Sequence, residues 1–178
     1  LINSKKDLLK VLKDIAIKGI CAIDTETNSL NIESATLVGV SLCCDENVAY
    51  YIPINHTNID GSKRNDDQLE ENYVINQIEK ICKNEAILKI GQNIKYDIRI
   101  LNKYGVLFKS IADTMLISYS IDNGIFKHNL DDLSFNHLNH TTIKYKDLVG
   151  TGKNEITFDK VSISLYCLFT IIPIFSYL

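Results

Sequence analysis

The sequence predicts an α/β domain on a mixed central sheet, an antiparallel meander joined to parallel strands and flanked by helices. Three observations carry this. Two β-rich stretches, Thr36 to Cys44 and Val48 to Ile54, are separated only by Asp45-Glu46-Asn47, which reads as a hairpin. The apolar run Cys21-Ala22-Ile23 lies just before them and extends the hairpin into a meander. After them, segments of helical period alternate with a short apolar strand, the order of helices packed on both faces of a sheet.

Taken in order, Leu8, Leu9, Leu12 and Ile15 recur at helical spacing, with Ser4 as N-cap and Gly19 as the stop. This helix feeds directly into the first strand. Beyond the hairpin, a polar loop from His56 to Asn65 gives way to a helix from about Asp66 to Lys83, with Leu69, Tyr73, Ile75, Ile78 and Ile81 mostly on one side. Ile87-Leu88-Lys89-Ile90 is expected as a buried strand, and Asn93 to Tyr104 as a helix closed by Gly105. Asp113 caps a helix over Thr114 to Ile121, and Asn129-Leu130 opens another through Leu138.

With 178 residues and 46% hydrophobic content, the chain is the size of one domain with a real core. A net charge of −3 and only two arginines, Arg64 and Arg99, exclude a broad cationic footprint, so a nucleic-acid partner is not held through many duplex phosphates. The five cysteines contain no C-x-x-C pair, a scatter that fits reduced thiols in a cytoplasmic setting. No signal-peptide layout opens the chain, and its start at Leu suggests a segment of something longer.

The chemistry concentrates in Asp24-Thr25-Glu26. Side chains at i and i+2 of a strand share a face. Two carboxylates that close repel each other, and they persist where a proton is shared or a divalent cation lies between them. A second acidic site follows in Gly91-Gln92-Asn93-Ile94-Lys95-Tyr96-Asp97, where a strand ends and a helix begins. Asn93 and Asp97 are i and i+4, expected on one side of that helix, and strand ends are where α/β proteins build ligand sites. Taken alone, an acid on the first turns of a helix is more often a dipole partner or a solvated residue.

Together these segments, with Asn28-Ser29-Leu30, Leu37-Val38-Gly39-Val40-Ser41, Tyr51-Ile52-Pro53, Asp113-Thr114-Met115-Leu116 and Gly150-Thr151-Gly152-Lys153-Asn154, resemble the 3′→5′ proofreading exonuclease domain of bacterial DNA polymerase I, of the DnaQ-like, ribonuclease H-like superfamily. The resemblance runs from about Leu8 to Val161 and implies a ribonuclease H-like fold. It implies that Asp24, Glu26 and Asp97 are catalytic and supply three of four carboxylates for two divalent ions, Mg²⁺ or Mn²⁺, hard cations suited to oxygen ligands. In the family one ion activates water and the other stabilises the leaving 3′ oxygen. Asp24 would bridge both, Glu26 would hold the first, Asp97 the second, and nucleoside monophosphates would leave. The resemblance also places Thr27, Leu30, Gln92, Asn93, Lys127 and Tyr145 at substrate contacts. Leu30 would stack beside the terminal base, Gln92 and Asn93 would bond the strand end, and Lys127 and Tyr145 would meet its phosphates and sugar. By residue type alone, Leu30 and Tyr145 read equally well as packing. The partner implied is a single-stranded or frayed DNA 3′ end, with a polymerase domain in the intact ancestor and no membrane. His128 and His137 lack metal-ligand spacing and read as surface or capping residues.

The chain departs from the family after Lys160. The family's third motif, a tyrosine followed four residues later by an aspartate, would fall near Phe169 and Pro173, and the nearest look-alike, Tyr166, has Thr170 at that spacing. Val161 to Leu178 are eighteen uncharged, mostly apolar residues. The division expected is therefore an exonuclease domain over 1–160 and an aberrant apolar tail over 161–178, better explained by a frameshift or deletion than by a membrane span interrupted by Pro173. Losing one carboxylate and the water-orienting tyrosine implies activity lowered by about 10²- to 10⁴-fold. The alternatives are a catalytically dead scaffold, a fragment of a split polymerase gene, or an RNA-trimming exonuclease of the same superfamily.

Overall fold

Strand β1, Ile20–Thr27, is the centre of the sheet. Helix α1 (Lys5–Lys18) enters it as expected: Ser4 accepts the Asp7 N–H, and Gly19 stops the helix at φ 70°, a left-handed conformation that costs glycine little. β1 pairs antiparallel with β2 (Leu37–Asp45), which pairs antiparallel with β3 (Val48–Pro53). On its other edge β1 pairs parallel with β4 (Leu88–Gly91), and β4 with β5 (Ile111–Asp113), giving the order β3-β2-β1-β4-β5. The computed structural model describes residues 1–46, 48–62, 67–121, 127–152 and 155–163. Thus Arg64, Lys153, Asn154, Cys167 and the expected third-motif positions lie outside the described residues, as does most of the 161–178 segment.

The remaining helices are α2 (Glu71–Cys82), α3 (Lys95–Asn102), α4 (Thr114–Ile121), α5 (Leu130–Leu138) and α6 (Tyr145–Val149), followed by a 3-10 turn at Phe158–Lys160. One sheet face is covered by α1, α2 and α3, whose Leu8, Ile15, Ile78 and Ile100 pack with Cys21, Ile23 and Leu42. Each such aliphatic side chain, fully buried, stabilises the fold by about 1.5–3 kcal/mol. Across the other face lie two smaller clusters. Ala22, Cys43 and Ile90 meet Leu130 of α5, and Val38 and Tyr51 meet Val149, Phe158 and Val161. Val161 therefore belongs to the packed domain.

Several expectations need correction. α2 starts at Glu71 and not near Asp66. Gln68 explains the delay, because its side-chain amide accepts the His56 N–H and donates to the His56 carbonyl, at 2.7 and 3.0 Å, holding the preceding residues beside that loop. α3 starts at Lys95, so Asn93 does not share a helix face with Asp97. Asn93 sits at φ 57°, outside the right-handed helical region. His128 is not a surface residue: it is 7% exposed, its Nδ1 lies 2.7 Å from the Ser118 hydroxyl, and its ring lies 3.8 Å from that of Tyr119. His137 is exposed, as expected. β5 and α6 have no counterpart in the sequence reading.

Candidate active site

The site grows from a mismatch in strand length. β4 pairs with β1 only from Ile20↔Leu88 to Ala22↔Ile90, whereas β2 follows β1 to Thr27. Past Ala22, the β4-side edge of β1 has no strand beside it, because the chain leaves β4 at Gly91 and turns into α3. The turn is tight: a Cβ on Gly91 would come within 2.7 Å of Ile94. Into the gap comes Asp97, in the first turn of α3.

Asp97 is 2% exposed, and its Oδ1 accepts both the Thr25 N–H at 2.8 Å and the Thr25 hydroxyl at 2.6 Å. Asp24 and Glu26 project from the sheet face opposite Thr25. They are half-buried and interact with each other. Burial, then the neighbouring Glu26, holds the Asp24 carboxyl well above its usual range. Asp97 is also held well above it, first by burial and then by the Asp24 charge, although the two Thr25 donors pull the other way.

The donor set is therefore all oxygen, which suits a hard divalent ion. Among the described residues no group of three or more His, Cys, Asp or Glu side chains is placed so that it could hold a metal ion.

The other sequence-derived positions are distributed around this centre. Thr27 ends β1. Its hydroxyl lies 2.7 Å from that of Tyr96, and the two lie 3.0 and 2.9 Å from the Ser29 carbonyl. Tyr96 was not singled out by sequence reasoning; burial raises its hydroxyl pKa, the Thr27 hydrogen bond lowers it, and the charges of Asp97, Glu26 and Asp24 raise it further. Asn93 donates its N–H to Asp113 at 3.0 Å, while its buried Oδ1 has no partner among the described residues. Gln92 accepts from the Thr114 hydroxyl and donates to the His128 carbonyl, so much of its amide is engaged within the protein. Tyr145 opens α6, stacks on Phe158 at 6.0 Å, and feels the Glu26 charge. Leu30 is 88% exposed on the β1–β2 loop, and Lys127 is exposed. No contact joins Leu30 or Lys127 to the carboxylates among the described residues. Thr25 and Tyr96 are the site residues that sequence reasoning missed; both lay inside the motifs, but nothing local distinguished them from spacers.

A mixed sheet with carboxylates at the end of its central strand is a ribonuclease H-like fold, and comparison with solved structures agrees. Brucella melitensis NrnC with bound Mg²⁺ superposes with a TM-score of 0.66 at 20% identity, over 92% of this chain and 72% of that one. The chain belongs to the 3′-5′ exonuclease family of A-type DNA polymerases, whose profile matches residues 1–166. DNA polymerase I of Rhizobium leguminosarum is 39% identical over 165 residues, and that of Pseudomonas aeruginosa 34% over 155. Each alignment covers 85% of this chain and 16% of the relative, so the chain spans about one-sixth of their length.

Proposed function

We propose that this chain is a divalent-cation-dependent 3′→5′ exonuclease domain that acts on single-stranded or frayed DNA 3′ ends and releases nucleoside monophosphates. The observation carrying this is the placement of the Asp97 carboxylate on Thr25, the residue between Asp24 and Glu26 in β1. The NrnC relative with bound Mg²⁺ supports the choice of a hard cation. Asp24, Glu26 and Asp97 would hold Mg²⁺ or Mn²⁺. When bound, such ions activate water and stabilise an oxyanion leaving group.

The chain's own side chains then bind and orient the strand. Leu30 is exposed enough to stack against a terminal base. The unpartnered Asn93 Oδ1 accepts a donor from the strand end, and the amide hydrogen of Gln92 not given to His128 can reach the same region. Tyr145 and Lys127 would contact the sugar and phosphates, with Thr27 alongside the terminal nucleotide. Because the segment from Val161 onward contains no acidic residue, catalysis is impaired relative to a domain with the family's full set, by about 10²- to 10⁴-fold. A reducing cytoplasmic setting is supported by the free thiols of Cys21, Cys43, Cys44 and Cys82. Among the described residues no helix is long and apolar enough to cross a membrane.

The test is a gel assay on 5′-labelled single-stranded DNA with Mn²⁺, with Asp24→Ala in parallel. Laddering that disappears in the variant is the expected result. Intact substrate at high protein concentration would instead leave a non-catalytic scaffold, and laddering unchanged in Asp24→Ala would point to a contaminating nuclease.

A further inference from the structure

Thr25 stands between the two β1 carboxylates but faces the other side of the sheet. Its N–H points to the edge that β4 has vacated, where a longer parallel strand would have offered a carbonyl. Asp97 Oδ1 takes that place at 2.8 Å, and the same oxygen accepts the Thr25 hydroxyl at 2.6 Å. Both residues are enclosed, at 6% and 2% exposure. One donor on a carboxylate oxygen fixes where the oxygen sits and leaves the group free to pivot about it. Two donors from different directions fix the pivot as well. Oδ1 is then saturated, and Oδ2 is the oxygen that Asp97 can offer a ligand.

We propose that Thr25 is a positioning residue for the metal centre: its hydroxyl locks the Asp97 carboxylate so that Oδ2 is presented toward the Asp24 side. The tripeptide Asp24-Thr25-Glu26 thus supplies two candidate ligands directly and a third by proxy, recruiting a carboxylate far along the chain. This rests on the divalent-cation reading of the site. Groups that orient a ligand in this way are commonly worth about 10- to 100-fold in metal affinity. The main-chain bond from the Thr25 N–H survives any side-chain change, so losing the hydroxyl should misorient Asp97 and not expel it.

The test is Mn²⁺ binding to the full chain by electron paramagnetic resonance, compared across the unsubstituted protein, Thr25→Val and Thr25→Ser. Valine keeps the methyl and puts a second methyl in place of the hydroxyl; serine keeps the hydroxyl and loses the methyl. The expected result is Mn²⁺ affinity at least about tenfold weaker in Thr25→Val and restored to near the unsubstituted value in Thr25→Ser. In the DNA assay, the valine defect appears in kcat at limiting Mn²⁺ with KM for DNA unchanged, and excess Mn²⁺ relieves it. If Thr25→Val binds Mn²⁺ as tightly as the unsubstituted chain, or if serine is the weaker of the two, Thr25 is a packing residue and the inference fails alone. If the unsubstituted chain binds no Mn²⁺, the cation reading fails and the inference with it. Should Thr25→Val not fold, as judged by thermal melting, Thr25→Cys, a weak donor of similar size to serine, replaces it in the comparison with Thr25→Ser.

Discussion

Asp24 and Asp97, the proposed ligands, would hold a divalent ion in competition with protons. Both carboxyls are held above their ordinary range, by burial first, then by Glu26 for Asp24 and by Asp24 for Asp97. The folded chain therefore keeps these protons to higher pH than the unfolded chain does. From the ordinary carboxylate range up to the raised values, folding takes up protons, so this contribution to stability falls as pH rises. A divalent ion competes for the same oxygens, so its affinity rises with pH and its binding releases protons. Calorimetry of Mn²⁺ binding in two buffers of different ionisation enthalpy is expected to show proton release, with tighter binding at the higher of two pH values. Affinity independent of pH would show that the carboxyls bind the ion without first giving up a proton. The Asp24/Glu26 pairing was readable from sequence because strand alternation depends only on spacing. The roles of Thr25 and Tyr96 were not, since they arise from where β4 stops and how α3 docks, both set by distant residues.

At the scale of elements, α3 organises more than Asp97. From its first turn Tyr96 reaches the Ser29 carbonyl, from its end Lys103 donates to the carbonyls of Ile32 and Ala35 at 2.9 and 2.6 Å, and just beyond, the Tyr104 hydroxyl accepts the Leu37 N–H at 3.1 Å. One helix thus grips the whole β1–β2 loop that carries Leu30. Arg99 and Glu33 add an exposed pair at 3.8 Å, worth little by itself. Replacing Lys103 by Met removes the donors while keeping the stem. The expected outcome is faster amide exchange over residues 28–36, a stability loss of about 1 kcal/mol, and weaker discrimination between frayed and fully paired ends, measured by exchange mass spectrometry and the gel assay. Exchange unchanged in that loop would show that Tyr96 and Tyr104 suffice. Helix ends were largely legible, because Ser4, Gly19 and Asn129 act through local caps. Asn93 was misread because its left-handed turn is imposed by tertiary fit: its N–H is drawn to Asp113 at the end of β5, a half-exposed strand of three residues with no periodic signal.

At the scale of the whole molecule, His56 fastens the last described part of the chain to the sheet. It is fully buried, accepts from the Tyr51 hydroxyl through Nε2, and lies 3.1 Å through Nδ1 from the Val161 carbonyl. Nδ1 therefore carries the proton of a neutral ring. Burial lowers its pKa, partly opposed by Val161 and Asp159. Here the sign is opposite to that of the carboxylates: the unfolded chain takes up this proton first, so stability is lost as pH falls from about 6.5, the ordinary histidine value. Replacing His56 with Leu removes the imidazole that the Tyr51 hydroxyl and the Val161 carbonyl bond. It is expected to cost about 2–3 kcal/mol and to remove this acid limb from a plot of melting temperature against pH, whereas an unchanged limb would assign it to other groups. The meander was legible from its β-rich stretches and the turn residues between them, whereas β5 was not. The packing of Phe158 and Val161 on Tyr51 was not, because it joins segments far apart in sequence through residues of ordinary type.

The early end of β4 carries a further consequence. The N–H of Thr25 can satisfy either a neighbouring strand or the carboxylate of Asp97, and it cannot do both. The sheet and the site are rivals for one hydrogen atom: a β4 running two residues farther would make a more regular sheet and would displace the carboxylate that distinguishes this surface from an inert one. What looks like a shortfall in strand pairing is the structural condition for chemistry at this position.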